Sequence, residues 1–273
     1  MSHFVKLPLS VAIITKNEEV RLPDCLASID FADDVVVVDS ESTDRTVEVA
    51  RAAGARVFVE PWRGFGPQKQ YAVDQCRNRW VLILDADERI PPETAIALRY
   101  LVTGGADCDA YSILRKNYYT DRLIRHGSWQ NDRVTRLFDK TVCYMPSQMV
   151  HESLVVNGTV GRMDSPILHY ARTDLHQSVD KLNRYSTIGA REMFQRGRVT
   201  SMAEAILRSL WCFGYNYILR AGFLDMSAGF IIAVSDAVET FFKYAKLYEL
   251  HRQSINVHHA TDKSTHNRPP AIN

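Results

Sequence analysis

The first hundred residues alternate short apolar runs with stretches of helical spacing. The runs are rich in β-branched residues and predict strands at Val11–Ile14, Val35–Val38, Arg56–Val59 and Val81–Leu84. Helices are predicted to begin near Pro23, to run from about Asp44 to Gly54, and to span Gln68–Arg77. This alternation is typical of an α/β fold in which helices cover a parallel sheet.

Polar residues directly follow three of the predicted strands. The runs Val35–Val38 and Val81–Leu84 show no polar alternation, so we expect both strands to be buried on both faces. In an open α/β sheet the ligand crevice lies beyond the carboxyl ends of the strands. We therefore expect one rim to be formed by Thr15-Lys16-Asn17, Asp39-Ser40 and Asp85-Ala86-Asp87-Glu88.

The pattern changes beyond residue 106. Shorter runs predict mixed strands at Tyr111–Arg115, Val134–Phe138 and Leu154–Val156. Helical spacing follows over Asp174–Arg196, and Met202–Leu250 is helical and apolar on nearly all sides. We predict a main domain over residues 1–200, a helical region over 201–255 and a disordered tail over 256–273.

Composition and charge narrow the class of protein. The chain has 273 residues, 46% of them hydrophobic, and a net charge of +1. This balance excludes a disordered tail protein and argues against a nucleic-acid partner. The five cysteines form no CxxC pair, which favours neither a disulfide framework nor a zinc site and suits a reducing cytoplasm. No charge-free run approaches the roughly 20 residues of a membrane-spanning helix.

Two carboxylates follow the last strand of the predicted parallel sheet. Asp85 and Asp87, at positions i and i+2 beside a loop, can bind a divalent cation and leave sites open for diphosphate oxygens. The alternative is turn and cap chemistry, because Glu88 and Pro91 lead into the next helix. Their placement after Val81–Leu84 favours the metal.

Two further rim segments carry groups suited to a nucleotide. Asp39 follows a strand of four valines, where its carboxylate can accept hydrogen bonds from a nucleobase or a ribose, although a cap for the next helix is the alternative. Residues 62–71 supply glycines, the cation Lys69 and a helix start, which suit a phosphate. Such glycine-rich turns also occur for structural reasons alone.

Several motifs, distributed over residues 8–250, form a recognisable set. They are Ser10–Glu18, Val36–Asp44, Gly64–Lys69, Leu82–Glu88, His126–Trp129 with Asp132, Arg136–Phe138, Val150–Glu152, His169-Tyr170 and Lys181–Tyr185. The set resembles the inverting family 2 glycosyltransferases of GT-A fold, and within them the lipopolysaccharide-core β-1,4-glucosyltransferase group. The resemblance implies a Rossmann-like, mostly parallel sheet flanked by helices, with a C-terminal helical extension.

The resemblance also implies roles for the rim residues. Thr15, Asn17, Glu18, Asp39 and Lys69 would surround the nucleotide of a nucleotide-sugar donor. Asp85 and Asp87 would lie around a metal-bound diphosphate, with Mg²⁺ or Mn²⁺ as the cofactor. His151 could be a third metal ligand, an acceptor contact or a packed loop histidine.

The constellation supports a single in-line displacement at the anomeric carbon. A carboxylate takes the proton of the acceptor hydroxyl while the metal stabilises the departing nucleoside diphosphate. Asp132 is the candidate base, because it lies in a loop after Trp129 and before a strand. Glu152 in the Val-His-Glu motif is the alternative.

Two positions depart from the pattern of the family. Glu41 stands where glycine is usual in the loop after the second strand, which leaves the backbone less free there. Met226 stands where glycine is expected after Leu224-Asp225. We expect the backbone of the C-terminal helix turn to be affected.

The resemblance implies transfer of a hexose, glucose, from a UDP-sugar to a saccharide acceptor of the lipopolysaccharide core or a related lipid-linked glycan. The rival functions are a nucleotidyltransferase and a non-catalytic nucleotide-sugar-binding protein on the same scaffold. The sequence contains neither a GxxxxGK[ST] phosphate loop nor a GxGxxG dinucleotide turn.

The apolar C-terminal helices suggest a location. One reading is a helical pair buried against the main domain or in a homodimer. The other is an interfacial hairpin with Trp211, Tyr215 and Tyr217 at headgroup depth, which would place the protein peripherally on the inner face of the cytoplasmic membrane. The basic residues expected to meet anionic lipid are Arg208, Arg220, Lys243 and Lys246.

Overall fold

The computed structural model describes residues 6–146, 154–172 and 175–265. The chain divides into two compact units. The first comprises Met1–Tyr118 and Asn131–Ala171, and the second comprises Tyr119–Gln130 and Arg172–Asn273. The division therefore differs from the predicted boundary near residue 200, and the short segment 119–130 belongs with the C-terminal helices.

The first unit begins with four parallel strands and their connecting helices. The strands are β1 (Leu7–Thr15), β2 (Ala32–Asp39), β3 (Arg56–Val59) and β4 (Trp80–Asp85), in the order β3-β2-β1-β4. The helices are α1 (Leu22–Ala27), α2 (Thr46–Ala52) and α3 (Phe65–Asp74). All four predicted strands are present, and α3 starts three residues earlier than predicted.

Antiparallel strands extend this sheet on the β4 side. The further elements are β5 (Glu88–Arg89), α4 (Pro92–Tyr100), β6 (Ala110–Tyr119), β7 (Arg122–Leu123), β8 (Arg133–Asp139), β9 (Cys143–Tyr144), β10 (Val155–Val156) and β11 (Val160–Arg172). Strand β8 pairs antiparallel with β4 and β6, and β5 pairs antiparallel with β11. The full order is β3-β2-β1-β4-β8-β6-β11-β5, while β9 and β10 form a separate ribbon. The predicted α/β fold of GT-A type is confirmed, but the sheet is mixed rather than mostly parallel, because the parallel pairing is limited to β1–β4 and the strands added beside β4 pair antiparallel.

Both faces of β1, β2 and β4 are buried, as predicted for Val35–Val38 and Val81–Leu84. Val11 and Ile13 of β1 lie in one apolar cluster, whereas Ala12 between them lies in the other. Alternate residues of β4 divide in the same way, Leu82 into the first cluster and Ile83 into the second. This burial fixes the register of the strands, because a slip by one residue would exchange the faces.

The second unit is helical in its larger part. Helix α5 (Leu175–Gln195) and helix α6 (Met202–Gly214) both pack against α7 (Met226–Thr265). A π-helical turn over Tyr215–Leu219 and a 3₁₀ turn over Gly222–Asp225 form the bend between α6 and α7. Helix α7 continues through residues 256–265, which the sequence led us to expect to be disordered.

The second unit also bears on the question of a membrane. Among the described helices none is by itself long and apolar enough to cross a bilayer. One pair of helices, Met202–Leu219 and Gly222–Ser254, is bent by 71°. Only when the two are taken together do they have the length and composition to cross a bilayer.

Candidate active site

The carboxyl ends of β1, β2 and β4 lie side by side, as the sequence predicted. In the register of the sheet Thr15 is opposite Asp39, and Ile14 is opposite Asp85. Asp39 is fully buried at this rim. Its carboxylate accepts hydrogen bonds from Thr15 Oγ1 at 3.1 Å, from the Ser42 amide at 2.8 Å and from Ser42 Oγ at 2.5 Å. These bonds hold the Asp39 carboxylate in one orientation.

Asn17 and Glu18 connect the loop after β1 to the segment after β2 through hydrogen bonds. Asn17 has a φ of +55°, which asparagine tolerates better than most residues. Its amide donates to Ser42 Oγ at 2.8 Å, and its Oδ1 accepts from the Thr43 amide at 2.8 Å. The Glu18 amide donates to Thr46 Oγ1 at 2.8 Å. The two residues therefore shape the rim through their loop contacts.

Gln68, on α3, is a rim residue to which the sequence assigned no role. It is fully buried, and its Nε2 donates to Ser40 Oγ at 3.2 Å. Its Oε1 is also buried and has no hydrogen-bond partner among the described residues. A buried acceptor without a partner is costly, so it is a natural contact for a donor group of a ligand.

Asp85 lies between two cations at the end of β4. Its Oδ1 is 3.3 Å from Lys69 Nζ, and its Oδ2 accepts from Arg136 Nη2 at 2.5 Å. Burial raises the pKa of Asp85, but the charges of Arg136 and Lys69 outweigh burial and hold that pKa well below its usual range. Asp85 therefore stays ionised and positions Lys69 on the rim.

Glu88 extends the ion-pair network beneath Asp85. It is fully buried and accepts from Arg136 Nη2 at 2.7 Å, from Arg115 Nη1 at 3.4 Å and from the Asp85 amide at 3.0 Å. Buried charges need such partners, because an unpaired charge in the protein interior is strongly destabilising. Arg136 of β8 is thereby bound to Asp85 of β4 and Glu88 of β5, and Arg115 of β6 is bound to Glu88.

Asp87 faces His169, a residue of the His169-Tyr170 motif for which the sequence predicted no role. The distance from Asp87 Oδ1 to His169 Nε2 is 3.6 Å. Arg21 Nη1 lies 3.5 Å from the other oxygen, Asp87 Oδ2. On its other side His169 Nδ1 lies 2.6 Å from Asn117 Oδ1. His169 belongs to β11 and Asn117 to β6, so two strands distant in sequence reach the acidic pair.

The hydrogen-bond network determines which nitrogen of His169 carries the proton. The Asn117 Nδ2 donates to Asp132 Oδ2 at 3.0 Å, so Asn117 Oδ1 is the acceptor for His169 Nδ1–H. In the tautomer with its proton on Nδ1, the lone pair of Nε2 faces the Asp87 carboxylate. Two facing acceptors are the arrangement that a bound cation would satisfy.

Asp132 is part of the same cluster. Its Oδ2 accepts from Arg115 Nε at 2.9 Å and from Asn117 Nδ2 at 3.0 Å, and it lies 2.7 Å from Arg115 Nη2. The hydrogen bonds that the described residues donate to this carboxylate all end on Oδ2 rather than Oδ1, and the side chain is 25% exposed. One oxygen is thus fixed while the other is open, which is the geometry a general base needs.

The structure brings together all but two of the predicted site residues. His151 and Glu152 lie outside the described residues, so the metal role of His151 and the alternative base Glu152 stay predictions. Within the described part of the chain, no group of three or more histidine, cysteine or acidic side chains forms a ready metal cluster. The metal role of Asp85 and Asp87 also stays a prediction.

Both departures from the family pattern lie at positions of positive φ. Glu41 has a φ of +58°, and Met226 has a φ of +55° with a ψ of −134°. Glycine adopts this half of backbone space without steric cost, whereas residues with a Cβ do so at a cost. The expectation of a constrained backbone at both positions is confirmed.

These features define an α/β enzyme domain with a polar site at the carboxyl edge of its sheet, and comparisons with known proteins give the family. The family model for glycosyl transferase family 2 matches residues 10–154. An uncharacterized glycosyltransferase of Rickettsia prowazekii is 33% identical over 266 residues, which make up 91% of this chain and 89% of that protein. The chain therefore belongs to glycosyl transferase family 2, and it is a glycosyltransferase.

A second relative and one solved structure are also similar to this chain. The lipopolysaccharide core biosynthesis glycosyltransferase LpsC of Rhizobium meliloti is 33% identical over 261 residues, 90% of this chain and 94% of LpsC. Among solved structures, residues 1–349 of Staphylococcus aureus TarS in complex with UDP-GlcNAc align at 18% identity with a TM-score of 0.47. That alignment covers 90% of this chain and 92% of the TarS chain.

Proposed function

We propose that this glycosyltransferase moves glucose from UDP-glucose to a saccharide acceptor of the lipopolysaccharide core or a related lipid-linked glycan, with inversion at the anomeric carbon. One observation supports the proposed transfer reaction. A fixed carboxylate with an open oxygen, Asp132, shares one hydrogen-bond network with the acidic residues that follow β4. The name of LpsC, a relative over nearly its whole length, supports the choice of acceptor.

Each rim residue has a role in the proposed reaction. Asp39 accepts hydrogen bonds from the uracil, and Lys69 neutralises the diphosphate. Asp87 and His169 would hold Mg²⁺ or Mn²⁺, and the ion would supply positive charge for the departing diphosphate. Asp132 Oδ1 takes the proton of the acceptor hydroxyl as that oxygen attacks the anomeric carbon from the opposite side.

The choice of donor is tested by a panel of nucleotide sugars. Hydrolysis and transfer are measured with UDP-glucose, UDP-galactose, UDP-N-acetylglucosamine and GDP-mannose, alongside calorimetric titration with UDP and GDP. We expect turnover to be fastest with UDP-glucose and UDP to bind more tightly than GDP. Equal affinity for UDP and GDP would contradict the role of Asp39. Binding without any turnover would favour the non-catalytic binding protein.

A further inference from the structure

Helix α6 and the bend that follows it expose an unusual number of large apolar side chains. Leu207, Leu210, Trp211 and Ile218 recur at helical spacing and are between 61% and 67% exposed. The bend and the start of α7 add Leu219, Phe223, Leu224, Met226 and Phe230. Protein surfaces rarely expose so many large apolar side chains in one region unless they contact another apolar phase.

This exposure is a property of one face of α6. The other face packs against α7, where Ala205 is fully buried and Ser209 Oγ donates to the Ala237 carbonyl at 2.8 Å. Asn216, two turns beyond Ser209, is also buried. The outward face would normally be polar in a surface helix, so its apolar character points to a second contact.

The surface of the bend carries no carboxylate. Arg220 and Asp225 are the charged residues between positions 211 and 230. Asp225 is 4% exposed, and its Oδ2 accepts from the backbone amides of Arg125 at 3.0 Å and His126 at 2.8 Å. The single acid is therefore turned inward, and what remains outside is apolar or basic.

Arginines of segment 119–130 lie beside the bend. Arg122 and Arg125 are both exposed, and Arg122 Nη1 is 3.5 Å from Met226 Sδ. Asp121 is the acidic residue of that segment. The apolar surface thus has basic groups along its margin.

Two of the basic residues that the sequence predicted to contact anionic lipid form hydrogen bonds within the protein. Arg208 Nε donates to Glu204 Oε1 at 2.7 Å. Lys246 Nζ donates to oxygens of Asn183, Ser186 and Thr187 at 2.8 to 3.0 Å. The contact with anionic groups is better assigned to the arginines beside the bend.

We propose that the bend between α6 and α7 inserts into one leaflet of an anionic bilayer, with Arg122 and Arg125 contacting lipid phosphates. Trp211 would lie at headgroup depth, and the aliphatic side chains of the bend would enter the acyl region. Taken together, the bent pair of helices has the length and composition of a broken span or a re-entrant loop. This inference rests on the surface of the second unit alone and does not depend on the donor or the acceptor.

A second copy of the chain fits this surface less well than lipid does. Two copies that meet around a two-fold axis through this face would each present the same set of residues to the other. The arginines at the margin would then meet a surface that is apolar or basic, with the exposed Asp121 as the carboxylate of segment 119–130 and none exposed on the bend. Anionic headgroups supply the missing negative charge.

Co-sedimentation of the full chain with lipid vesicles tests the proposal. The vesicles are phosphatidylcholine with or without phosphatidylglycerol, at low and high salt. Wild type is expected to sediment with the anionic vesicles and less so at high salt. The double variant I218E/L219E should bind at least about tenfold more weakly, because two apolar side chains no longer enter the bilayer. The control I96E, at a 71% exposed position on α4, should bind like wild type.

Two further readouts separate insertion from adhesion and self-association. Brominated lipid should quench wild-type tryptophan fluorescence, and Trp211→Phe should remove most of that quenching. Arg122→Gln should weaken binding to anionic vesicles about fivefold, whereas Arg51→Gln, the same charge change at an exposed site on α2, should not. Melting curves must show that each variant is folded.

Three results would overturn the proposal. The first is wild type that stays in the supernatant with anionic vesicles at low salt. The second is I218E/L219E that sediments like wild type. The third is light scattering that shows a wild-type dimer which I218E/L219E converts to a monomer without any change in vesicle binding, since the surface would then be an interface between copies.

Discussion

Asn117 connects two functional groups of the site through the opposite ends of one amide. Its Nδ2 holds the candidate base Asp132, and its Oδ1 holds His169 in the tautomer that faces Asp87. The side chain is nearly completely buried, so its orientation is set by these partners rather than by water. Asn117 is a positioning residue, because it acts on the reaction through Asp132 and His169.

Replacing Asn117 should therefore impair turnover more than donor binding. Asn117→Leu keeps the volume but leaves both neighbours unsupported, and loss of such a supporting partner costs about 10- to 100-fold. We expect that loss in kcat, with the Kd for UDP within about twofold of wild type. Asn157→Ala, at an exposed asparagine, is the matched control. A variant with a normal kcat would remove Asn117 from the mechanism.

His169 should control the affinity for the divalent cation. His169→Ala removes the lone pair that faces Asp87, so the Mn²⁺ concentration for half-maximal transfer should rise at least about tenfold. Mn²⁺ binding followed by electron paramagnetic resonance should weaken in parallel. His176→Ala, at an 87% exposed histidine of α5, is the control. Full activity of wild type after chelation would refute the metal role.

At the scale of secondary-structure elements, Asp34 connects strands β1, β2 and β3 of the parallel sheet through hydrogen bonds. It lies on β2 and accepts from Ser10 Oγ of β1 at 2.6 Å, from Arg56 Nε of β3 at 2.9 Å and from the Arg77 amide at 2.8 Å. Burial raises its pKa, but these hydrogen bonds and the charge of Arg56 together hold that pKa below its ordinary value. Asp34 thus stabilises the fold in its ionised form.

The pH dependence follows from the sign of that shift. Because the pKa is lower in the folded state, the stabilisation is present above the unfolded pKa of about 4 and is lost as the pH falls through the folded value. Asp34→Asn should lower the free energy of unfolding at pH 7 by about 2 to 3 kcal/mol and flatten its fall below about pH 4. Asp33→Asn, at the exposed neighbour, should do neither in denaturant titrations.

Adjacent positions at the start of α7 should respond to glycine in opposite directions. Met226→Gly relieves an unfavourable φ and ψ combination and should raise stability by about 1 kcal/mol. Ser227→Gly, one residue later in the helix, should lower stability by about 0.5 to 1 kcal/mol. Thermal unfolding of both variants checks the pair. A loss of stability in Met226→Gly would show that the side chain contributes more than the backbone costs.

The sequence predicted the parallel elements well because their signals are local. Four β-branched strands, three of them followed directly by polar residues, identified the rim with Asp39 and Asp85 at its centre. The network around it was missed, since Arg115, Asn117 and His169 come from β6 and β11. Their register depends on long-range strand pairing that no local pattern encodes. A buried asparagine in the middle of a strand is, in addition, a weak signal on its own.

At the scale of the whole molecule, the candidate active site and the exposed apolar surface belong to different units. The first unit contains the described residues of the candidate active site, and the second contains the exposed apolar bend. The boundary could not be read from the sequence, because the second unit recruits segment 119–130 from within the first. That segment is tied to its unit by backbone contacts, such as the hydrogen bond from the Gly127 amide to the Arg220 carbonyl at 3.0 Å.

The central claim is that the carboxylate edge of the first unit transfers a sugar with Asp132 as the base. The most direct test is glucose transfer from UDP-glucose by Asp132→Asn, measured beside wild type with saturating Mn²⁺. The substitution keeps the shape but removes the proton acceptor, so the rate should fall about 10²- to 10⁴-fold while the Kd for UDP is unchanged. Near-normal turnover by Asp132→Asn would contradict the account and transfer the role of base to Glu152.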